Sequence, residues 1–241
     1  MATTFPGWQI DEVASIGREN LDPVHVARYD DKEDAGAASE VALLQSQGCG
    51  PKTVMVDIGA GTGQFALAAA ESFGRVLAVD PSPVMLARLR DSVRQRGSNL
   101  EVVEAGFLTY QHQGEGPDVV YSRWALHHLP DFWKSIALHR IRAMLPTGGV
   151  LRLSDIVFSF DIHEAENRIE SWCAAIGADE TEWTRQDAEE HVRDEHSTYA
   201  WLLEPMIEAA GFEVNQAVYS ADGFLAEYLL TATVQPQTPR G

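Results

Sequence analysis

A glycine-rich turn between an apolar run and a helix-forming run constrains this chain more than any other stretch. The turn lies within Val54-Met55-Val56-Asp57-Ile58-Gly59-Ala60-Gly61-Thr62-Gly63-Gln64-Phe65-Ala66. The valine-rich part predicts a buried strand that stops near Asp57, and the alanine-rich part after Phe65 predicts a helix. Glycine lets the backbone approach a ligand closely and adopt positive φ. The order of strand, turn and helix therefore predicts a ligand-binding loop at the carboxyl end of a parallel strand.

The spacing of the glycines distinguishes between two classes of ligand. A dinucleotide-binding fingerprint requires glycine at position 64, where this chain has Gln64. Asp57, just before the glycines, would repel a pyrophosphate and attract the ammonium group of an amino acid. The pattern resembles motif I of the class I S-adenosylmethionine (SAM)-dependent methyltransferases, in particular the small-molecule, UbiE-like enzymes of types 11 and 25.

The resemblance covers residues 52–160 by specific motifs and residues 198–234 by pattern. It implies SAM as methyl donor and S-adenosylhomocysteine as product. It also implies a set of cofactor-binding positions, here Tyr29, Asp57, Gly59, Ala60, Gly61, Gly63, Asp80, Pro81, Met85, Ala105, Gly106, Phe107, Ser122 and Arg123. Tyr29 would close over SAM from the N-terminal segment; the alternative is a tyrosine that packs a surface helix.

The second and third predicted strands lead to the residues that are candidates for binding the adenosine part of SAM. Arg75–Asp80 ends on an acid that can accept both hydroxyl groups of a ribose. The family usually has an acid and a small residue after the third strand, here 100–105, to contact adenine. This chain has Ala105-Gly106-Phe107, with Glu104 one place early. The adenine contact is left open between Glu104, the backbone and Phe107.

Two adjacent histidines follow the fourth predicted strand, 117–123, in the sequence Ala-Leu-His-His-Leu-Pro-Asp at 125–131. Histidine suits general base catalysis because its pKa lies near neutrality. His127 and His128 are therefore candidate catalytic residues near the acceptor. The alternative is a structural role in packing and loop hydrogen bonds. Asp131 is predicted to cap the helix that follows.

Alternating strand and helix signals predict an α/β fold: a Rossmann-like, seven-stranded, mostly parallel sheet with helices on both faces and an antiparallel C-terminal hairpin. We expect one domain over 1–241. Its parts are an N-terminal helical lid (1–50), a SAM-binding core (52–160), an acidic cap insertion (161–197), and a final helix and hairpin (198–234). Pro205 is predicted to kink or restart the final helix.

The predicted cap differs in composition from the rest of the chain. Residues 161–196 contain 12 acidic residues and three arginines. We expect this segment to lie over the glycine loop and to form the acceptor side of the pocket, because ligands of open α/β sheets bind beyond the carboxyl ends of the strands. Its charge indicates either a cationic acceptor or an acidic outer surface. In the second case Trp172, Trp183, Tyr199 and Trp201 would turn inward toward a neutral or aromatic acceptor.

A metal site is not predicted. His191 and His196 lie near carboxylates, but residues five apart on a helix do not share a face. Cys49 and Cys173 give neither a disulfide framework nor metal-ligand spacing. A Ser-His-Asp hydrolase is also disfavoured, because no G-x-S-x-G sequence follows a strand.

The net charge of −18 disfavours nucleic acid and anionic membranes as partners. The sequence contains neither a signal-peptide pattern nor an apolar run of 18 residues, so we expect a cytoplasmic protein without a membrane partner. The predicted activity is methyl transfer to a small-molecule acceptor at an O, N or C atom, by a monomer or homodimer. The alternatives are an RNA- or tRNA-modifying methyltransferase, a non-catalytic SAM-binding protein or partner subunit, and transfer from decarboxylated SAM to a polyamine.

Overall fold

The structure is a computed structural model that describes residues 6–17, 20–23, 25–27, 36–176 and 184–234. Its strands are β1 (Val54–Ile58), β2 (Arg75–Asp80), β3 (Glu101–Glu104), β4 (Val119–Arg123), β5 (Val150–Phe158), β6 (Thr198–Tyr199), β7 (Phe212–Tyr219) and β8 (Leu225–Ala232). Seven of them form one sheet in the order β3-β2-β1-β4-β5-β8-β7, and β6 pairs with β5 beside this path. The predicted fold class is confirmed.

The order of the strands places the glycine turn at a switch point of the sheet. β1 pairs in parallel with β2 on one side and with β4 on the other. The chain therefore runs outward from β1 through β2 to β3 on one side and then crosses over to β4 on the other side. Ligands of open α/β sheets bind in the crevice at such a point. β7 and β8 are antiparallel, with a bulge between Val214 and Gln216, and β8 pairs antiparallel with β5. The predicted C-terminal hairpin is therefore confirmed.

The described helices are α1 (Glu12–Ser15), α2 (Ala37–Ser46), α3 (Gln64–Ala69), α4 (Pro83–Arg96), α5 (Asp131–Met144), α6 (Ala165–Ile176), α7 (Arg185–Asp194) and α8 (Ala200–Ala209). Short 3-10 turns cover Leu126–His128 and Ile162–Glu164. Ser82 caps α4, where its hydroxyl accepts from the Met85 N–H, and Gly97 ends that helix with φ 62°. Among the described residues, no helix has both the length and the apolarity needed to cross a membrane.

One detail of the predicted helices is wrong. Asp131 does not cap α5, because it is the first helical residue and its carboxylate instead accepts from Lys134 Nζ at 2.8 Å. α8 runs through Pro205, so of the two predicted outcomes, a kink or a restart, the restart does not occur. Pro205 lies on the exposed side of α8, where water can satisfy the carbonyl that loses its partner.

Alternate residues along each strand pack against helices on opposite faces of the sheet. On β1, Met55 packs with α2, α3 and α4, whereas Val56 and Ile58 pack in the cluster that includes α5 and α8. All three side chains are buried. Burial on both faces explains why β1 is a continuous apolar run rather than an alternating one.

A buried arginine joins β5 to its surroundings. The Arg152 guanidinium donates to both oxygens of Glu40, at 2.8 and 2.6 Å, and to Glu227 Oε2 at 2.6 Å. Arg152 is buried, and these bonds link helix α2 to strands β5 and β8. Such a bidentate, charge-assisted arrangement fixes geometry as well as charge.

The segment between β5 and β6 begins and ends at the same edge of the sheet. β5 extends to Phe158, and its last residues pair in parallel with β6, Val157 with Thr198 and Phe158 with Tyr199. The described parts of this segment contain α6 and α7, which pack against each other. The insertion therefore leaves and rejoins the sheet at the carboxyl end of β5.

Candidate functional site

The glycine turn after β1 adopts a backbone that other residues would not. Gly59, Gly61 and Gly63 have φ of 79°, 54° and 83°, in the left-handed region that favours glycine. A Cβ on Gly59 would clash with Ala125, and one on Gly63 would clash with Leu89. The alternating glycines thus serve packing at two positions, while the third, Gly61, borders open space.

Two buried carboxylates end neighbouring strands beside this turn. Asp80 accepts hydrogen bonds from the Ser82 N–H at 2.7 Å and the Gly61 N–H at 2.8 Å, so it also holds the turn in place. Burial raises the pKa of Asp80 to about 6, although these two bonds act in the opposite direction. Burial, and then repulsion from Asp80, raises the pKa of Asp57 well above its usual value. This pair of carboxylates would favour a bound cation.

A cavity of about 580 Å³ lies over the ends of β1 and β2. It is lined by Glu12, Ile16, Asn20, Ile58, Gly59, Gly61, Asp80, Pro81, Gly106, Phe107, Arg123, Trp124, Ala125, His128 and Leu129. A smaller cavity of about 460 Å³ continues beside Asp57, Ala60 and Arg123. We call these the shelf cavity and the Asp57 cavity.

Glu12, from the short helix α1, supplies an acid to the shelf cavity that the sequence analysis missed. Its Oε1 accepts from the Leu108 N–H at 3.0 Å, whereas its buried Oε2 has no hydrogen-bond partner among the described residues. Gly106 makes room for it, since a Cβ there would overlap the Glu12 carboxylate. Burial raises the pKa of Glu12. An unpartnered acceptor in a cavity is a position for a ligand donor.

A third cavity, of about 1100 Å³, adjoins the shelf cavity and is here called the cap cavity. Asn20, Trp124 and His128 line both. The cap cavity is further lined by His127, Ile156, Trp172, Ile176, Asp187, Ala188, Glu190, His191, Glu195, Asp222, Phe224 and Leu225. Most of its cap-side walls come from α6 and α7, and the Trp172 ring stacks on Phe224 with centroids 4.9 Å apart.

Trp124 lies where the three cavities meet. Its φ of 49° is the one positive value among the described residues other than glycine. Such a conformation is uncommon for a bulky residue and persists only where the surroundings hold it. The Arg123 guanidinium covers its ring at 3.9 Å.

The two predicted catalytic histidines are buried at the base of the cap cavity. His127 Nδ1 lies 2.5 Å from Asp155 Oδ1, and its Nε2 lies 3.1 Å from Glu195 Oε2. Burial lowers the pKa of His127, but the two carboxylates outweigh burial and raise that pKa to about 10. Burial and the adjacent His127 lower the pKa of His128 to about 3. Neighbouring histidines therefore hold opposite protonation states at neutral pH.

Glu195 joins this pair to helix α7. It is in contact with His191 Nδ1 and lies 4.0 Å from His128 Nδ1. Burial raises the pKa of Glu195, but the adjacent His127 and His191 rings outweigh burial and hold that pKa below its usual range. The His196 N–H donates to the His127 carbonyl at 2.9 Å, which ties the end of the cap to the loop after β4.

Most predicted cofactor positions border these cavities. The residues that line the shelf or Asp57 cavity are Asp57, Gly59, Ala60, Gly61, Asp80, Pro81, Gly106, Phe107 and Arg123. Gly63, Met85, Ala105 and Ser122 do not line them; Met85 and Ser122 are buried, and Gly63 packs against Leu89. Glu104 is exposed, with its carboxylate 3.9 Å from Arg90. Tyr29 lies outside the described residues.

The predicted inward-facing aromatic residues of the cap divide into three groups. Trp172 and the partly buried Tyr199 pack with Phe158, Phe160 and Phe224. Trp201 is 57% exposed, so its predicted inward position is wrong. Trp183 lies outside the described residues.

Comparison with known proteins also indicates a methyltransferase. The family model described as a methyltransferase domain matches residues 55–149. An uncharacterized methyltransferase, YrrT, from Bacillus subtilis is 28% identical over 164 residues, which cover 68% of this chain and 71% of that protein.

Two solved structures share the fold. Magnesium protoporphyrin IX methyltransferase from Synechocystis, with bound SAM, has a TM-score of 0.64 at 13% identity, over 95% of this chain and 100% of that one. A chain in the complex that contains the Haloferax volcanii Trm112 methyltransferase activator has a TM-score of 0.65 at 16% identity, over 90% of this chain and 96% of that one.

Proposed function

This chain belongs to the class I SAM-dependent methyltransferases, and on that premise we propose that it methylates a small-molecule acceptor bound in the cap cavity. The observation that carries the proposal is the cap cavity itself, which adjoins the shelf cavity through Asn20, Trp124 and His128. Its apolar and aromatic lining, which includes Ile156, Trp172 and Phe224, with a few polar groups among them, is typical of small-molecule sites.

SAM would lie across the shelf and Asp57 cavities. Asp80 would accept from the ribose hydroxyls, and the Asp57 carboxylate would attract the methionine ammonium group. Glu12 Oε2 has the position and the free lone pairs to accept from the adenine amino group. Glu12 would then replace the acid that the family usually has after the third strand.

The N-terminal segment supports a covering role over this cofactor. The Ser82 hydroxyl donates to the Asn20 carbonyl at 2.6 Å, so the segment is fastened to the loop after β2. Glu12, Ile16 and Asn20 all line the shelf cavity. We propose that residues 1–50 act as the lid, and the part that Tyr29 plays in it stays a prediction.

The sulfonium of SAM carries its own leaving group, so the protein acts mainly by proximity and orientation. Holding a nucleophile in line with the methyl group can supply about 7–11 kcal/mol of the barrier. Trp172, Phe224 and Ile156 would hold an aromatic or apolar acceptor body. His128 borders both cavities, but burial and the adjacent His127 lower its pKa to about 3, which makes it a weak general base, so the catalytic roles of His127 and His128 stay predictions.

A SAM-dependent product screen tests this proposal. The protein is incubated with SAM and a pool of small metabolites, and S-adenosylhomocysteine and methylated products are measured by mass spectrometry. We expect release above the no-acceptor control, and we expect Trp172→Ala to reduce it while the SAM Kd changes less than about twofold. No acceptor-dependent release from the pool, with SAM still bound, would contradict a small-molecule acceptor.

The alternative is an RNA acceptor, which the fold itself does not distinguish from a small-molecule acceptor. The same assay with total tRNA in place of metabolites decides between the two. We expect no methylation of tRNA, because the net charge of −18, with 12 acids against three arginines in 161–196, would repel its phosphates. A cytoplasmic location and a monomeric or homodimeric state stay predictions.

A further inference from the structure

Four potential metal ligands meet at the base of the cap cavity. Glu195 Oε2 lies 3.1 Å from His127 Nε2, 4.0 Å from His128 Nδ1 and in contact with His191 Nδ1. The ligand atoms of His127, His128 and Glu195 all lie within 4.8 Å of one another. Among the described residues, these three form the one such group of histidine, cysteine and carboxylate side chains.

Two separate elements bring these ligands together. His127 and His128 belong to the 3-10 turn after β4. His191 lies on α7 and Glu195 directly follows its last residue, four positions later and on the same face. His196, the other histidine of the 191–196 segment, is not part of the cluster; its backbone N–H donates to the His127 carbonyl instead. No metal was predicted from residues 191–196, because two of the histidines in the cluster come from the other element.

The outer hydrogen bonds orient the imidazole rings toward the centre of the cluster. The Asp155 carboxylate bonds to His127 Nδ1, which leaves Nε2 facing Glu195. The Ser197 hydroxyl bonds to His191 Nε2 at 2.8 Å, which leaves Nδ1 facing Glu195. A carboxylate behind the ligating histidine is the usual arrangement in zinc sites.

His128 supplies the observation that hydrogen bonding within the cluster does not explain. Its Nδ1 is buried and has no hydrogen-bond partner among the described residues, while its Nε2 lies 3.4 Å from the Asn20 side chain. A buried ring nitrogen without a partner is costly. An ion between His128 and Glu195 would satisfy it.

We propose that His127 Nε2, His128 Nδ1, His191 Nδ1 and the Glu195 carboxylate bind one divalent cation of the zinc class. Nitrogen-rich sites of this kind favour Zn²⁺, Co²⁺ or Ni²⁺ over Mg²⁺ and Ca²⁺, which prefer oxygen. Zinc–nitrogen bonds are about 2.0–2.1 Å long, so tetrahedral ligand atoms are separated by about 3.4 Å. The ligand atoms of His127, His128 and Glu195 lie within 4.8 Å of one another, and His191 reaches the group through its contact with Glu195, so side-chain movements would have to draw the four ligands together around the ion.

The location gives such an ion a role in selecting the acceptor. The four ligands line the cap cavity, which also borders the shelf cavity at His128. An acceptor with a hydroxyl, thiol or carboxylate group could take a further position on the ion. This selecting role rests on the proposed function, whereas binding of the ion does not.

Metal binding is tested directly on the whole protein. The protein is treated with a chelator, dialysed, and titrated with Co²⁺, whose visible absorption reports tetrahedral nitrogen ligands, and with Zn²⁺ by calorimetry. The variants are Glu195→Gln and His128→Asn. The matched controls are Glu166→Gln and His139→Asn, whose side chains are exposed. Far-UV circular dichroism and SAM titration check the fold of each variant.

We expect one Zn²⁺ per chain, at least 100-fold weaker binding in both ligand variants, and unchanged binding in both controls. Asp155→Asn should weaken binding about 10–100-fold while the Co²⁺ spectrum is retained, because Asp155 only orients a ligand. If a ligand variant does not fold, His191→Asn takes its place. Binding of less than a tenth of an equivalent, or equal binding by ligand variants and controls, overturns the proposal. Metal binding without methyl transfer would contradict the proposed function alone.

Discussion

Replacing Glu12 by glutamine should weaken SAM binding while the surrounding structure is retained. The glutamine carbonyl can still accept from the Leu108 N–H, which Glu12 Oε1 accepts at 3.0 Å. Its amide NH₂ would then occupy the place of Oε2, the buried oxygen without a partner among the described residues. Two donors, the amide and the adenine amino group, would face each other.

The size of this effect follows from one lost hydrogen bond. Leaving a buried polar group unpaired costs about 1–3 kcal/mol, which corresponds to a Kd about 5–150-fold higher. The loss should be equal for SAM and S-adenosylhomocysteine, because both carry the same adenine. Isothermal titration calorimetry with each ligand measures it.

Glu104→Gln is the matched control for this experiment. Glu104 ends β3, where the family pattern leads one to look for the adenine acid, but it is exposed near Arg90. We expect its SAM Kd to change less than about twofold. A Glu12→Gln variant that binds SAM normally, or a Glu104→Gln variant that binds it weakly, would refute the assignment.

Substitutions at three further positions test the site and its support. Asp80→Ala should raise the SAM Kd at least about 100-fold in calorimetry, since two charge-assisted bonds to ribose are lost. In the ligand-free protein, burial raises the pKa of Asp80 to about 6, so Asp80 keeps its proton up to a higher pH in the folded protein than in the unfolded chain. Its contribution to the free energy of unfolding should therefore fall by roughly 3 kcal/mol as pH rises from about 4 to about 7, and urea unfolding of Asp80→Asn should show a shallower decline. Gly63→Ala should destabilise by about 1–3 kcal/mol in urea unfolding, because of positive φ and the clash with Leu89; unchanged stability would contradict the described turn. Arg152→Leu should cost about 3 kcal/mol, since it strands the largely buried Glu40 carboxylate while the half-exposed Glu227 is solvated, and a loss below about 1 kcal/mol would show that the network is unimportant.

The sequence was sufficient for the parts of the site that are continuous in the chain. The strand, turn and helix around Gly59 can be recognised in the sequence, because the residues that form them are consecutive and each strongly favours its local backbone conformation. Asp80 was found because it ends a regular apolar strand.

The missed residues owe their position to contacts between distant segments. Glu12 belongs to a helix of four residues, which is too short for a periodic pattern, and only the packing against Gly106 gives it a place in the cavity. The cluster of His127 with Glu195 joins residues 68 positions apart, so no local pattern could reveal it. Asp131 has the sequence of a cap, but a lysine one turn later offers its carboxylate a stronger partner.

The pairing of β6 with the end of β5 has a consequence for how the protein can change its substrate. Because Val157 and Thr198 are neighbours in the sheet, everything between them is a loop whose two ends leave the sheet side by side. The entropy of closing such a loop grows only slowly with its length. Residues 161–197 therefore form an exchangeable cassette: a related enzyme's insertion, grafted between the same two strand ends, should bring its own acceptor preference to an unaltered SAM site.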